Sequence, residues 1–148
     1  MKDRLLTLKH KKEILKFIEE ENYLSIILIL EKIKTSHAGT AKTKDKRFVI
    51  GEIVKSVIRK SKNYDKDFFD AGSLLCKQNE DVAKEIGISL VWRGYKTKPE
   101  KVNEVLLKIA DDPNWEVREY AGSAFANALY DNPDLYKIIL AWTKHPSE

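Results

Sequence analysis

Cysteine is nearly absent from this chain, which has Cys76 as its one cysteine in 148 residues. A single cysteine cannot form an internal disulfide, and this suits a protein of a reducing compartment. The longest apolar run, residues 24–30, is far too short to span a membrane. No apolar signal-peptide core follows Met1. We therefore expect a cytoplasmic protein with no membrane partner.

Residues that ligate metals are also few and scattered. The three histidines, His10, His37 and His145, lie far from one another and from Cys76, without the short spacings of a zinc site. Cys76 lies in an apolar, helix-like segment, where a small core residue is expected. The sequence therefore predicts no metal, no cofactor and no nucleophile–base set.

Charge is abundant but unevenly distributed. The net charge is +4, yet residues 1–66 carry 17 Lys and Arg against 9 Asp and Glu, whereas residues 67–148 carry 10 against 14. A basic half joined to an acidic half suggests that one end of the protein binds a polyanion and that the other end has a different role. The alternative is a solvated lysine-rich surface that binds nothing.

Three glycines set a repeat period. Gly51, Gly87 and Gly122 are separated by 36 and 35 residues, and residues 79–82 match residues 114–117. A period in the mid-thirties that contains two helical patterns is typical of an α-solenoid. Because glycine is costly inside a helix, its recurrence indicates close approach of the helices within each repeat.

Hydrophobic periodicity predicts about eight helices in a single domain, 1–148. They cover residues 3–21, 23–33, 47–60, 65–77, 81–95, 99–110, 114–130 and 133–143. The second is so rich in β-branched residues that a buried strand is the alternative. Residues 1–34 would form an N-terminal helix pair, residues 35–44 a flexible loop, and residues 45–148 the regular repeats.

Residues 110–121 read Ala-Asp-Asp-Pro-Asn-Trp-Glu-Val-Arg-Glu-Tyr-Ala. This resembles a HEAT repeat, in which an acidic turn with proline precedes a helix that opens with Val-Arg. More narrowly, residues 79–148 resemble the HEAT-like repeats of the DNA alkylation repair family. The resemblance implies a solenoid of antiparallel helix pairs that binds DNA. Glycosylases of that family use an aspartate and aromatic residues on the concave face, and no stretch here matches them, so no catalytic residue is assigned.

Cations are concentrated in residues 42–62, where the second helix of a repeat would line the concave face. Phosphate binding needs several such cations. Trp92, Arg93 and Trp115 could stack on bases, with packing against neighbouring helices as the alternative. The predicted nucleic-acid-binding residues are Lys42, Lys44, Lys46, Arg47, Lys55, Arg59 and Arg93.

A structural role is expected for Arg118. The HEAT resemblance implies that the arginine at this place pairs with an acidic turn residue, so that Asp111, Asp112 and Arg118 form a ladder between repeats. A phosphate contact is the alternative.

The sequence as a whole favours a non-catalytic binding module whose curved face binds the backbone of DNA or RNA. The alternatives are a DNA glycosylase-like repair enzyme and a protein-binding scaffold, which could be a fragment of a longer solenoid. An apolar stripe near the C-terminus predicts a protein contact or weak self-association of an otherwise monomeric chain. The stripe consists of Tyr136, Ile139, Leu140 and Trp142.

Overall fold

The computed structural model describes residues 5–34 and 39–131. Within these ranges every regular element is helical and there is no strand, which confirms the all-α prediction. The helices are α1 (Leu8–Glu19), α2 (Tyr23–Lys32), α3 (Thr43–Lys60), α4 (Tyr64–Cys76), α5 (Asp81–Val91), α6 (Pro99–Ala110) and α7 (Trp115–Asp131), with a 3₁₀ turn (Trp92–Gly94) after α5. The predicted helix 133–143, the C-terminal stripe and residues 35–38 lie outside the described residues.

Helix α1 starts later than its apolar pattern predicts, because Thr7 caps it. The Thr7 hydroxyl accepts the His10 backbone N–H at 3.1 Å, and His10 Nδ1 accepts the Thr7 N–H at 3.2 Å, as in a capping box. At the other end Glu21 has a left-handed φ of 57°. The Asn22 N–H donates to the Phe17 carbonyl at 2.8 Å, which closes a Schellman motif. The chain therefore reverses at once into α2.

Helix α3 begins four residues before its predicted start. Asp45, in its first turn, is buried, and its carboxylate accepts the backbone N–H of Leu5 at 2.9 Å. Thr40 and Ala41, just before the helix, are buried as well. Thr43 and Lys44 thus belong to α3, although the sequence assigns them to the loop.

Helices α4 and α5 approach each other closely at two glycines. A Cβ added to Gly87 would lie 2.7 Å from the Gly72 carbonyl oxygen, so neither position accepts a side chain. An added Cβ would meet nothing within 4 Å at Gly51 or at Gly122. The prediction of close helix contacts at the three repeat glycines is therefore correct for Gly87 and wrong for the other two.

The apolar core consists of two clusters that share α5. Ile86 and Leu90 pack with side chains of α1–α4, whereas Ile88 and Val91 pack with side chains of α6 and α7. Helices α3, α4, α6 and α7 all contact α5. The helix is consequently buried along most of its length, and any charge on it needs a partner inside the protein.

Candidate functional site

One face of α3 is basic and exposed. Lys44, Arg47, Lys55 and Arg59 are all exposed, and helical geometry places them within an arc of about 120°. We call these four residues the basic face. Gly51 lies in the same arc, between Arg47 and Lys55 along the helix. Four cations on one side of a helix can contact successive phosphates.

Two cations of the basic face also have acidic neighbours. Lys55 pairs with Glu52 one turn away at 3.4 Å, and its side chain is 77% exposed. Arg59 binds the carboxylate of Glu19, which also accepts from Lys60 at 2.9 Å. Pairs as exposed as these contribute little to stability, so they do not prevent exchange of the carboxylate for a phosphate.

Lys46 does not belong to the basic face, which corrects the sequence prediction. Its side chain is only 1% exposed, and its Nζ lies 3.0 Å from both Glu85 Oε1 and Glu116 Oε1. The same nitrogen donates to the Thr40 hydroxyl at 3.1 Å and lies 4.7 Å from the centre of the Tyr120 ring. Lys46 is therefore a buried cross-link between α3, α5 and α7 and cannot reach a phosphate.

The two glutamates of this buried cluster differ in their affinity for a proton. Burial, helped by a hydrogen bond to Glu116, raises the pKa of Glu85 to about 8 against the attraction of Lys46. For Glu116, burial is outweighed by hydrogen bonds from Glu85, Thr40 and Lys46, which lower its pKa to about 2. The pKa of Lys46 is raised, because the nearby carboxylates outweigh its own burial. One lysine cation is thus balanced by Glu116, and Glu85 keeps a proton near neutral pH.

A groove of about 530 Å³ lies between α3, α5 and α7, and it shares Tyr120 with this cluster. Arg47 of the basic face forms part of one wall, and Tyr120 forms part of the opposite wall. Trp92 and Arg93 line the groove from the end of α5. The groove is therefore continuous with the basic face at Arg47. Its remaining lining residues are Thr43, Ile50, Ser89, Glu119, Ser123, Ala124 and Asn127.

Arg93 lines both this groove and a neighbouring one that Phe68 and Asp131 also line, and its guanidinium is held in place by several contacts. It lies 4.5 Å from the centre of the Trp92 ring and 6.0 Å from that of Phe68. One of its nitrogens donates to the Ser89 carbonyl. Burial lowers the pKa of Arg93 from its ordinary value, but arginine stays protonated in proteins. Arg93 is thus a fixed, half-buried cation, and it lines the same groove as Arg47.

Lys42 and Trp115 complete the list of predicted contacts. Lys42 is half-buried at the N-cap of α3, where its carbonyl accepts the Lys46 N–H at 3.0 Å. The Trp115 side chain is 42% exposed at the first residue of α7. Neither residue lines the groove.

The predicted ladder has a different arrangement from the one that the HEAT resemblance implies. Arg118 donates to the backbone carbonyls of Asp112 and Pro113, at 2.8 and 3.1 Å, and not to a carboxylate. The Asp112 carboxylate instead accepts from Lys84 of α5 at 2.8 Å, and Asp111 is exposed. The α6–α7 turn is therefore tied to α5 by Lys84, while Arg118 closes the turn itself.

Sequence reasoning missed the buried cluster and the far wall of the groove. A signal for the cluster does exist. Glu85 has the apolar neighbours Ala83, Ile86 and Ile88 in a helix-like segment, and a carboxyl group buried there needs either a polar partner or a bound proton. No comparable pattern in α7 singles out Tyr120 or Asn127.

Among the described residues, no group of three or more His, Cys, Asp and Glu side chains is arranged to hold a metal ion. Cys76 is buried, and burial raises the pKa of its thiol to about 12, which agrees with a core role. Within the same part of the chain, no helix is long and apolar enough to cross a membrane. No protein-family model, curated protein or solved structure matches this chain.

Proposed function

We propose that this protein is a non-catalytic, HEAT-like helical-repeat module that binds the backbone of nucleic acid. The observation that carries the proposal is the basic face, which consists of the exposed cations Lys44, Arg47, Lys55 and Arg59. Arg47 of this face also lines a groove that contains a further arginine, Arg93, whose guanidinium lies against the Trp92 ring. Each cation that neutralises a phosphate releases a counterion, and this release supplies most of the free energy of backbone binding.

The helix contacts support the repeat architecture. Helix α5 contacts both α3 and α7, while α4 contacts both α2 and α6. Such alternation is what stacked helix pairs produce. The HEAT-like segment 110–121 spans the turn from α6 to α7, where a repeat of this type places its acidic turn.

The test is a charge reversal with a matched control. Changing Lys44, Arg47 and Lys55 together to glutamate should abolish retention of a short duplex and of a single strand at about 50 mM salt. The control changes three exposed lysines of α1 to glutamate and so alters the net charge equally. These are Lys9, Lys12 and Lys16.

The comparison of the two variants decides the outcome. We expect the α1 control to keep at least about a third of the wild-type affinity, because its charges lie on another helix. Equal loss in both variants would mean that only net charge matters. If the wild-type chain shows no salt-dependent binding to DNA or RNA, the proposal fails and the protein-scaffold alternative takes its place.

One observation favours the repair-enzyme alternative. Glu119 is a carboxylate that lines the groove together with Trp92, Tyr120, Arg47 and Arg93, and a carboxylate positioned next to a bound base can act as a general base. If the protein releases alkylated bases, Glu119→Gln should lower that rate by about 10²–10⁴-fold while DNA binding persists. Absence of base release from alkylated duplex DNA by the wild-type chain would remove this alternative.

A further inference from the structure

We propose that the groove between α3, α5 and α7 holds one unpaired nucleotide of a single strand, with its base against Arg93 and its phosphate at Arg47. This inference rests on the proposed function and makes it more specific, because it predicts that single strands bind more tightly than duplexes.

The first requirement for binding an unpaired nucleotide is a groove of sufficient size. A volume of about 530 Å³ lies in the range of pockets that enclose one small ligand. A base that is paired in a duplex is shielded by its partner and its stacked neighbours, so a duplex can touch only the rim. An unpaired base can be turned outward and enter, as bases of single strands do in other proteins.

The stacking surface is the second condition. A guanidinium plane stacks well on a base when it is held at a fixed orientation. Arg93 meets this requirement, because its guanidinium lies 4.5 Å from the Trp92 ring and 6.0 Å from the Phe68 ring, and the Ser89 carbonyl accepts one of its protons. Its charge also attracts the phosphates on either side of the base.

The opposite wall supplies the polar groups that a base edge needs. Ser123 and Asn127 line the groove on α7, and they offer one hydroxyl and one amide. Tyr120, on the same helix, has the Lys46 ammonium 4.7 Å from the centre of its ring. Glu119 on this wall repels phosphate, which directs the backbone towards Arg47 on α3.

The experiment compares a single strand of about 12 nucleotides with the duplex of the same sequence at about 50 mM salt. The wild-type chain should bind the single strand about tenfold more tightly, as one stacked base is worth. Arg93→Leu should remove most of this preference, because it should lower the affinity for the single strand by much more than the affinity for the duplex. Lys101→Leu, which removes one exposed charge on α6, should leave the preference intact.

A second variant guards against a folding defect. Arg93→Lys keeps the charge and removes the planar guanidinium, so it too should reduce the preference for the single strand. Thermal melting of each variant reports whether the fold persists.

The outcomes separate this inference from the proposed function. If the wild-type chain binds both nucleic acids equally and Arg93→Leu changes neither affinity, the inference is overturned and the proposed function stands. Loss of all binding in the wild-type chain would overturn both. Binding of AMP without binding of any oligonucleotide would assign the groove to a free nucleotide and would also contradict the inference.

Discussion

Replacement of Lys46 by methionine should be the most destabilising single change on α3. The lysine is buried, it contacts Glu85 and Glu116 at 3.0 Å each, and it lies against the Tyr120 ring. Methionine keeps most of the side-chain volume and removes the charge. The variant therefore reports on the electrostatic cross-link rather than on a cavity.

The magnitude follows from what the substitution leaves behind. Removal of one partner from a buried ion pair costs about 3–5 kcal/mol, because the other charge is left without compensation. In the Lys46→Met variant the uncompensated charge is mainly that of Glu116, because Glu85 is largely protonated near neutral pH. The cost should shrink in acid, where Glu116 of the variant takes up a proton once its cation is gone.

Urea denaturation followed by circular dichroism measures the effect. With a slope near 2 kcal/mol per M, the midpoint should fall by about 2 M. Lys55→Met is the matched control, because Lys55 is on the same helix and 77% exposed, and it should shift the free energy of unfolding by less than about 0.5 kcal/mol. Similar, small effects in both variants would refute the buried cross-link.

Four further substitutions test the Glu85 site and other parts of the structure. The pKa of Glu85 in the folded protein, about 8, exceeds its ordinary value of 4.5. The free energy of unfolding should therefore fall as the pH rises from 4.5 through 8. Glu85→Gln should make the melting temperature less dependent on pH over this range. Gly51→Ala should raise the free energy of unfolding by about 0.5–1 kcal/mol, whereas Gly87→Ala should lower it by about 1–3 kcal/mol in the same urea assay. Arg118→Ala should lower the melting temperature through its two lost bonds and leave nucleic-acid affinity unchanged.

The helices were predictable because their signals are local. The predicted segment 99–110 is α6 itself, which begins at Pro99 as a proline at the first helical turn predicts. The start of α3 was missed because it depends on Asp45, whose carboxylate binds a backbone N–H forty residues away. The left-handed Glu21 that ends α1 was also missed, because glycine is the usual residue there.

The candidate site was only partly predictable from composition. Clustering of lysine and arginine predicts a basic α3, and the structure shows four of these cations exposed on one side of that helix. Trp92 and Arg93, which the sequence also singles out, line one end of the groove. Composition cannot show which lysine of a basic segment points inward, and this is why Lys46 was assigned to the wrong set. Its inward orientation depends on Glu85 and Glu116, which lie in two other helices.

The salt dependence of nucleic-acid binding by the wild-type chain tests the central claim most directly. Contacts from the basic face, three to four in number, predict that the logarithm of the association constant falls with the logarithm of salt concentration at a slope of about −2 to −4. Reversal of Lys44, Arg47 and Lys55 should bring that slope close to zero, while the α1 control keeps it. A wild-type slope near zero, or an equal slope in the reversed variant, would contradict the account.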